Sequence, residues 1–233
     1  MIKKITLVSI VFMLFIASLP AQNVQLHYDT RHTTRANSAA DRASKNYLFT
    51  TVEAFKPDKW GTTFFFIDMV YSGSKGNMTS AYWEIARDIK MWDFPLAAHL
   101  EYNGGVSAFG TIPGAYLIGP SYSFAMGDVH LGSYLVYKYN AFMSSSHDAQ
   151  LTGIWNWTST NKKITLSGFA DLWSENKDRI GTSGSKKLIF VAQPQVWFNV
   201  TQHFSLGSEV EISKNFYSCE INVLPTLAAK WIF

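Results

Sequence analysis

Beyond its first twenty-one residues this sequence has no long apolar run, a single cysteine and no dense block of like charge. Each absence excludes something. A membrane helix needs roughly 20 consecutive apolar residues, so a helical membrane protein is excluded. Cys219 has no partner for an intramolecular disulfide, and no cysteine stands near residue 22 to carry a lipid anchor. The net charge of +3 is too small to argue for nucleic acid. Histidines and the lone cysteine show no ligand spacing, and Glu175-Asn-Lys-Asp178 is too loose for a calcium loop. Gly-rich phosphate cradles are missing too, so no cofactor is expected.

What is present is an apolar and aromatic complement, 47% and 15% of the chain, spread at every second position. The last ten residues show it best: counting back from Phe233, the alternate set is Trp231, Ala229 and Leu227, against Thr226, Ala228 and Lys230. In a bilayer every backbone N–H and C=O must be paired within the protein, so a spanning strand belongs to a closed barrel, apolar outside and polar inside. At the other end, Lys3 and Lys4 precede an apolar stretch, Ile5 to Leu19, and a small residue at Ala21. This is the pattern of a secretory signal over residues 1–21, leaving 22–233 as one barrel domain.

About twelve strands follow, near the ten residues a tilted transmembrane strand needs. They are placed at Val24–Arg31, Tyr47–Lys56, Thr62–Tyr71, Ser80–Lys90, Phe94–Asn103, Ala115–Phe124, Val129–Asn140, Ala149–Trp157, Lys163–Trp173, Lys186–Val200, Phe204–Lys214 and Glu220–Phe233. Connections alternate between short turns (Pro57–Gly61, Met91–Asp93, Ala125–Asp128, Thr158–Lys162, Thr201–His203) and longer polar loops (Thr33–Asn46, Ser72–Thr79, Gly104–Gly114, Glu175–Ser185). The expected fold is an all-β, transmembrane antiparallel up-and-down barrel with both termini in the periplasm. Ser80–Lys90 also reads as an amphipathic helix, with Tyr82, Ile85, Ile89 and Trp92 at three-to-four spacing.

Alternation assigns the faces. Outward fall Leu48, Val52, Phe65, Ile67, Trp83, Ile85, Leu100, Leu135, Leu151, Trp155, Leu172 and Phe198, with Trp60, Trp92, Tyr71 and Trp231 at strand ends as an interfacial girdle. Inward fall Asp29, Glu53, Asp68, Glu84, Asp88, Glu101, Asp171, Glu209 and Glu211, against only Lys138 and Lys230, with His27 and His99 among them. So many carboxylates cannot all be paired, and a dry unpaired charge costs several kcal/mol, so the lumen is expected to be wet. Phe49, Phe64, Phe66, Tyr82, Tyr134, Phe169 and Trp173 also face inward, either as stacking surfaces or as volume fillers.

The leader, the strand count, the aromatic last strand and the segments Phe55-Lys-Pro-Asp-Lys-Trp-Gly61, Phe64-Phe-Phe-Ile-Asp-Met69, Tyr82-Trp-Glu-Ile-Ala-Arg87 and His99-Leu-Glu-Tyr-Asn-Gly104 together resemble an uncharacterised group of outer-membrane proteins. That group is itself similar to the nucleoside-specific channel-forming (Tsx-like) barrels. The resemblance implies a monomeric twelve-stranded barrel, in the outer membrane of a Gram-negative-type cell, passing nucleosides or similar small polar solutes. The residues expected to meet such a solute are Glu53, Phe66, Asp68, Tyr82, Glu84, His99, Glu101, Tyr134, Lys138, Asp171 and Glu209. The expected partners are outer-membrane lipid and the barrel-assembly machinery, the latter through the strand ending at Phe233.

Two other readings stand beside the channel. A plugged structural or recognition barrel would fold Thr33–Asn46, with Arg35 and Arg42, over or into the mouth. A membrane hydrolase would need a nucleophile, a base and an orienting group. His27 with Asp29, and His99 with Glu101, could each supply the last two, but no serine or threonine is identifiable as their partner, and the His-x-Ser-Asn-Gly run of membrane phospholipases is absent.

Overall fold

A computed structural model describes residues 22–34, 45–141, 147–176 and 185–233. Residues 1–21, expected to form a leader, and most of the loops Thr33–Asn46, Ala141–Asp148 and Glu175–Ser185, with Arg35 and Arg42, lie outside the described residues.

Alternating sequence becomes strand after strand: β1 (Gln22–Asp29), β2 (Tyr47–Asp58), β3 (Gly61–Tyr71), β4 (Ser80–Ile89), β5 (Ala97–Ser107), β6 (Gly110–Met126), β7 (Val129–Asn140), β8 (His147–Thr158), β9 (Ile164–Asn176), β10 (Lys186–Ala192), β11 (Gln195–Asn199), β12 (Phe204–Lys214) and β13 (Ile221–Ile232). One short helix, α1 (Arg31–Thr34), follows β1. Every neighbour is antiparallel, and β1 pairs with β13 from Asn23 opposite Ile232 to Asp29 opposite Thr226. The sheet therefore closes and leaves no free edge, the condition for a strand-built wall in lipid.

β10 and β11 are two pieces of one stave. Both lie between β9 and β12, and the pairing offset is the same on either side of the Gln193-Pro194 break. Gln193 N donates to Phe169 O at 3.0 Å and Val210 N to Pro194 O at 3.0 Å, so the ladder crosses the break. Proline has no N–H to return the second bond, which interrupts the strand without shifting it. The wall thus has twelve staves. Gly168, at φ 151°, faces the break; a Cβ there would come within 2.5 Å of the Gln193 carbonyl oxygen.

Ser80–Ile89 is strand, not helix, paired along its length with β3 and β5. Closure supplies ladder partners on both sides, and this decides a segment whose side-chain spacing fits either period. The expected loop Gly104–Gly114 is corrected. β5 runs to Ser107 and β6 starts at Gly110, joined by Ala108-Phe109, with a bulge between Asn103 and Gly105. The glycines that suggest a loop instead admit the Tyr102 ring: a Cβ at Gly104 or Gly114 would lie 3.0 Å from it. The Met91–Asp93 turn is also longer than expected, since no strand resumes before Ala97; the Trp92 indole donates to Leu96 O at 2.8 Å.

Face assignment follows the register. Leu26, Leu48, Ile85, Leu100, Leu135, Leu151 and Phe198 are exposed on the outer wall, while His27, Gln25, Asp29, Thr152 and Trp197 are fully buried inside. Trp60, Trp92 and Trp231 stand exposed at the end that carries the termini, with Tyr28, Tyr137 and Tyr139 at the other. Amphipathic rings at both rims suit a headgroup boundary.

Candidate functional site

Register brings the inward carboxylates into two groups, one on the β4–β5–β7–β9 wall and one where β1–β3 face β11–β13. Period two places His99, Glu101 and Asn103 on a single face of β5. His99 is buried and holds Asp88 Oδ1 with Nδ1 at 2.9 Å and Glu101 Oε2 with Nε2 at 3.0 Å. Its ring stacks on Tyr134, centroids 4.0 Å apart, and the Tyr134 hydroxyl donates to the same Glu101 oxygen at 3.1 Å. Asn103 donates to Glu101 Oε1 at 3.2 Å, and Ser121 donates to Asp88 at 2.6 Å. One imidazole thus braces two acids on adjacent staves.

Beside this brace, Tyr82 donates to Glu84 at 2.6 Å and Thr152 to Asp171 at 2.5 Å. Lys138 donates to Gln150 at 3.0 Å and its ammonium sits 4.7 Å over the Trp173 ring in a cation–π contact, with no ion pair to a carboxylate among the described residues. Glu84, Glu101, Asp171 and Lys138 lie in one another's electrostatic field, although β4 and β9 are not neighbours. Phe66 continues this surface, 6.1 Å from both Phe64 and Tyr82.

The second group surrounds a small cavity that is partly open to solvent. Its walls include Asp29, Arg31, Tyr47, Asp68, Gln193, Glu209, Glu211 and Tyr217. Asp68 accepts from Thr51 at 2.5 Å, Glu209 from Gln195 at 2.6 Å, and Glu211 from Tyr217 at 3.3 Å. All three donors are neutral. The other oxygen of Glu211 is buried and has no hydrogen-bond partner, with Ser213 and Gln193 as its polar neighbours. Arg31, at the start of α1, grips Asp29 with Nε at 2.9 Å and Nη2 at 2.8 Å, and its guanidinium lies 5.4 Å from the Tyr47 ring and 5.5 Å from the Tyr217 ring. Burial opposes its charge, but the Asp29 hydrogen bonds prevail and hold its pKa above the ordinary arginine value.

Toward the end with the termini the bore is filled. His27 stacks on Phe49 at 4.4 Å, Trp197 meets His27 edge-on at 6.1 Å, and the Lys230 ammonium lies 4.0 Å over the Trp197 ring. Glu53 accepts from Asn23 at 3.1 Å in this layer.

The expected site residues therefore divide. Phe66, Tyr82, Glu84, His99, Glu101, Tyr134, Lys138 and Asp171 share one wall, while Asp68 and Glu209 line the cavity and Glu53 belongs to the filled layer. The supposed pair of His27 and Asp29 is not formed: His27 bonds Thr226 and Gln25, and Asp29 is taken by Arg31. His99 meets Glu101 as expected, but Ser121 spends its hydroxyl on Asp88, so the trio has no nucleophile poised on the imidazole. Two cations were missed in the expected charge count: Arg31, and Lys186, which pairs with inward Asp148 at 2.8 Å. Both stand at strand ends, where alternation stops carrying information. Tyr47 and Tyr217 were missed for the same reason.

A closed twelve-stave wall with an apolar outer band and a polar bore defines a transmembrane antiparallel β-barrel. The chain belongs to the family described as a domain of unknown function, DUF5020, which matches residues 21–233. Among solved structures it is similar to the NanC porin in a rhombohedral crystal form: TM-score 0.58 at 13% identity, covering 91% of this chain and 100% of that one. A bacterial polysaccharide outer membrane secretin (TM-score 0.40, 10% identity, 92% and 98% covered) and a mutant of the Rh. blastica porin (0.37, 10%, 91% and 98%) lie further off. No curated protein matches the chain. At such identities the likeness is one of fold alone.

Proposed function

We propose that the protein is an outer-membrane channel for small polar solutes that prefers cations and neutral molecules over anions. The observation that carries this reading is the charge balance of the bore. Glu53, Glu84, Asp68, Asp171, Glu209 and Glu211 enter no ion pair among the described residues, and each takes its hydrogen bonds from neutral donors. Such groups keep their charge only beside water or a passing cation, and a narrow low-dielectric wall focuses their field against anions. Phe66, Tyr82 and Tyr134 offer flat faces beside acceptors, which suits nucleosides as neutral solutes: bases stack on rings, and hydroxyls and amines donate to carboxylates. Outward Leu227, Ala229 and Trp231 of the last strand form the signal we assign to the assembly machinery.

A planar bilayer under a salt gradient tests the reading. The expected reversal potential is that of a cation-preferring pore, reduced in Glu84→Gln/Glu101→Gln. Anion preference in the wild type, or selectivity unchanged in the double variant, overturns it. A second reading, a plugged barrel, draws on the filled layer of His27, Phe49, Trp197 and Lys230. It takes over if the folded protein carries no current.

A further inference from the structure

The mouth cavity has a feature that selectivity of the bore does not require. Arg31 is held there as a bound guanidinium would be, forked onto one carboxylate and flanked by two phenol rings. Asp29 takes both arms of its fork and Glu211 feels the same guanidinium at longer range, but Asp68 and Glu209 still face the cavity without a cation. A buried carboxylate oxygen of Glu211 has only the neutral Ser213 and Gln193 as polar neighbours and no full hydrogen bond from either. A carboxylate withdrawn from water in this way is strongly costly unless something donates to it.

We propose that this cavity is a binding site for a small organic dication, of the diamine class, held by Glu211 and Glu209 with Asp68 as the third acceptor. A metal ion does not fit, because no three acidic or imidazole groups among the described residues come close enough to share one. An ammonium needs no such convergence: it donates along separate directions, and the methylene chain of a diamine has the Tyr47 and Tyr217 rings of the same cavity to lie against. Arg31 is then the protein's own occupant of the adjoining half-site, and it limits how much cation the mouth takes up. The inference rests on the mouth being open to solvent and needs no conduction through the filled layer below.

Calorimetric titration of the refolded barrel in detergent micelles at low salt is the test, with 1,4-diaminobutane, magnesium chloride and 1,4-butanediol as probes. Saturable binding of the diamine and none of the diol is expected, with affinity lowered about tenfold in Glu209→Gln/Glu211→Gln, which loses two charge-assisted acceptors. Arg31→Gln frees Asp29 and is expected to bind the diamine more tightly than wild type. Equal affinity in wild type and the double variant, or magnesium binding tighter than diamine, overturns the proposal. The gel shift between cold and boiled samples checks that each variant closes its barrel, and Glu211→Gln alone carries the test if the double variant does not. A barrel that binds diamine but carries no current keeps this site and loses the channel; one that conducts but binds no diamine does the reverse.

Discussion

Asp88 and Glu101 on the β4–β5 wall and the acids of the mouth cavity are the same residue types on the same kind of strand, yet they are held in opposite ways. Glu84, beside the first pair, has Tyr82 alone and resembles the second set. Glu101 receives His99, Tyr134 and Asn103, and Asp88 receives His99, Ser121 and Thr62. Asp68, Glu209 and Glu211 receive one neutral donor each. The first pair is tied across five staves, β3 to β7, and works as a brace. The second set is left with capacity to accept, which a folded protein keeps only where something else comes to donate. Acidity of the bore is therefore two things: cross-linking of the wall in one region and readiness for solute in the other.

Removing the brace should cost the most. His99→Ala leaves buried Glu101 and partly exposed Asp88 without their shared donor, and a loss of about 3 kcal/mol is expected, the low end of the cost of breaking a buried charge pair because only one acid is fully buried. Denaturant unfolding in micelles measures it, and a loss under about 1 kcal/mol would place the brace with the ordinary surface pairs. Asp29→Asn comes next: Arg31 stays between its tyrosines but loses a buried fork, for about 1 to 3 kcal/mol, read in the same experiment. Smallest is Glu211→Gln. It removes a charge whose attraction to Arg31 and repulsion from Glu209 and Asp68 offset each other, so stability should change by no more than about 0.5 kcal/mol in either direction. If Glu211→Gln proved as damaging as His99→Ala, the two regions would not differ in kind.

Period two carried most of the fold. It set the strand order, the outward faces of residues such as Ile85 and Leu135, and the inward faces of all eleven expected site residues, because a two-residue repeat in a closed sheet admits one register. It could not carry what lies off the strands. Arg31 and Tyr217 reach the cavity from a helix turn and a connection, where no repeat orients a side chain. Nor could it separate braced from unbraced acids, since Glu101 and Glu209 alternate identically and differ only in what the neighbouring staves present to them. The glycines around Tyr102 misled for a related reason: a missing side chain marks either a bend or a place where a ring lies flat on the backbone.

The stave split at Pro194 has a mechanical side. In a ladder each residue is stitched to one neighbour by a pair of bonds, and at Pro194 only one of the pair, from Val210, can exist. The seam between this stave and β12 thus has a dropped stitch near its middle. Pulled apart from its rim, a closed barrel tears along the seam that resists least, and force spectroscopy on single molecules should find that tear running between Pro194 and Val210 rather than through the unbroken ladder that joins β7 to β8.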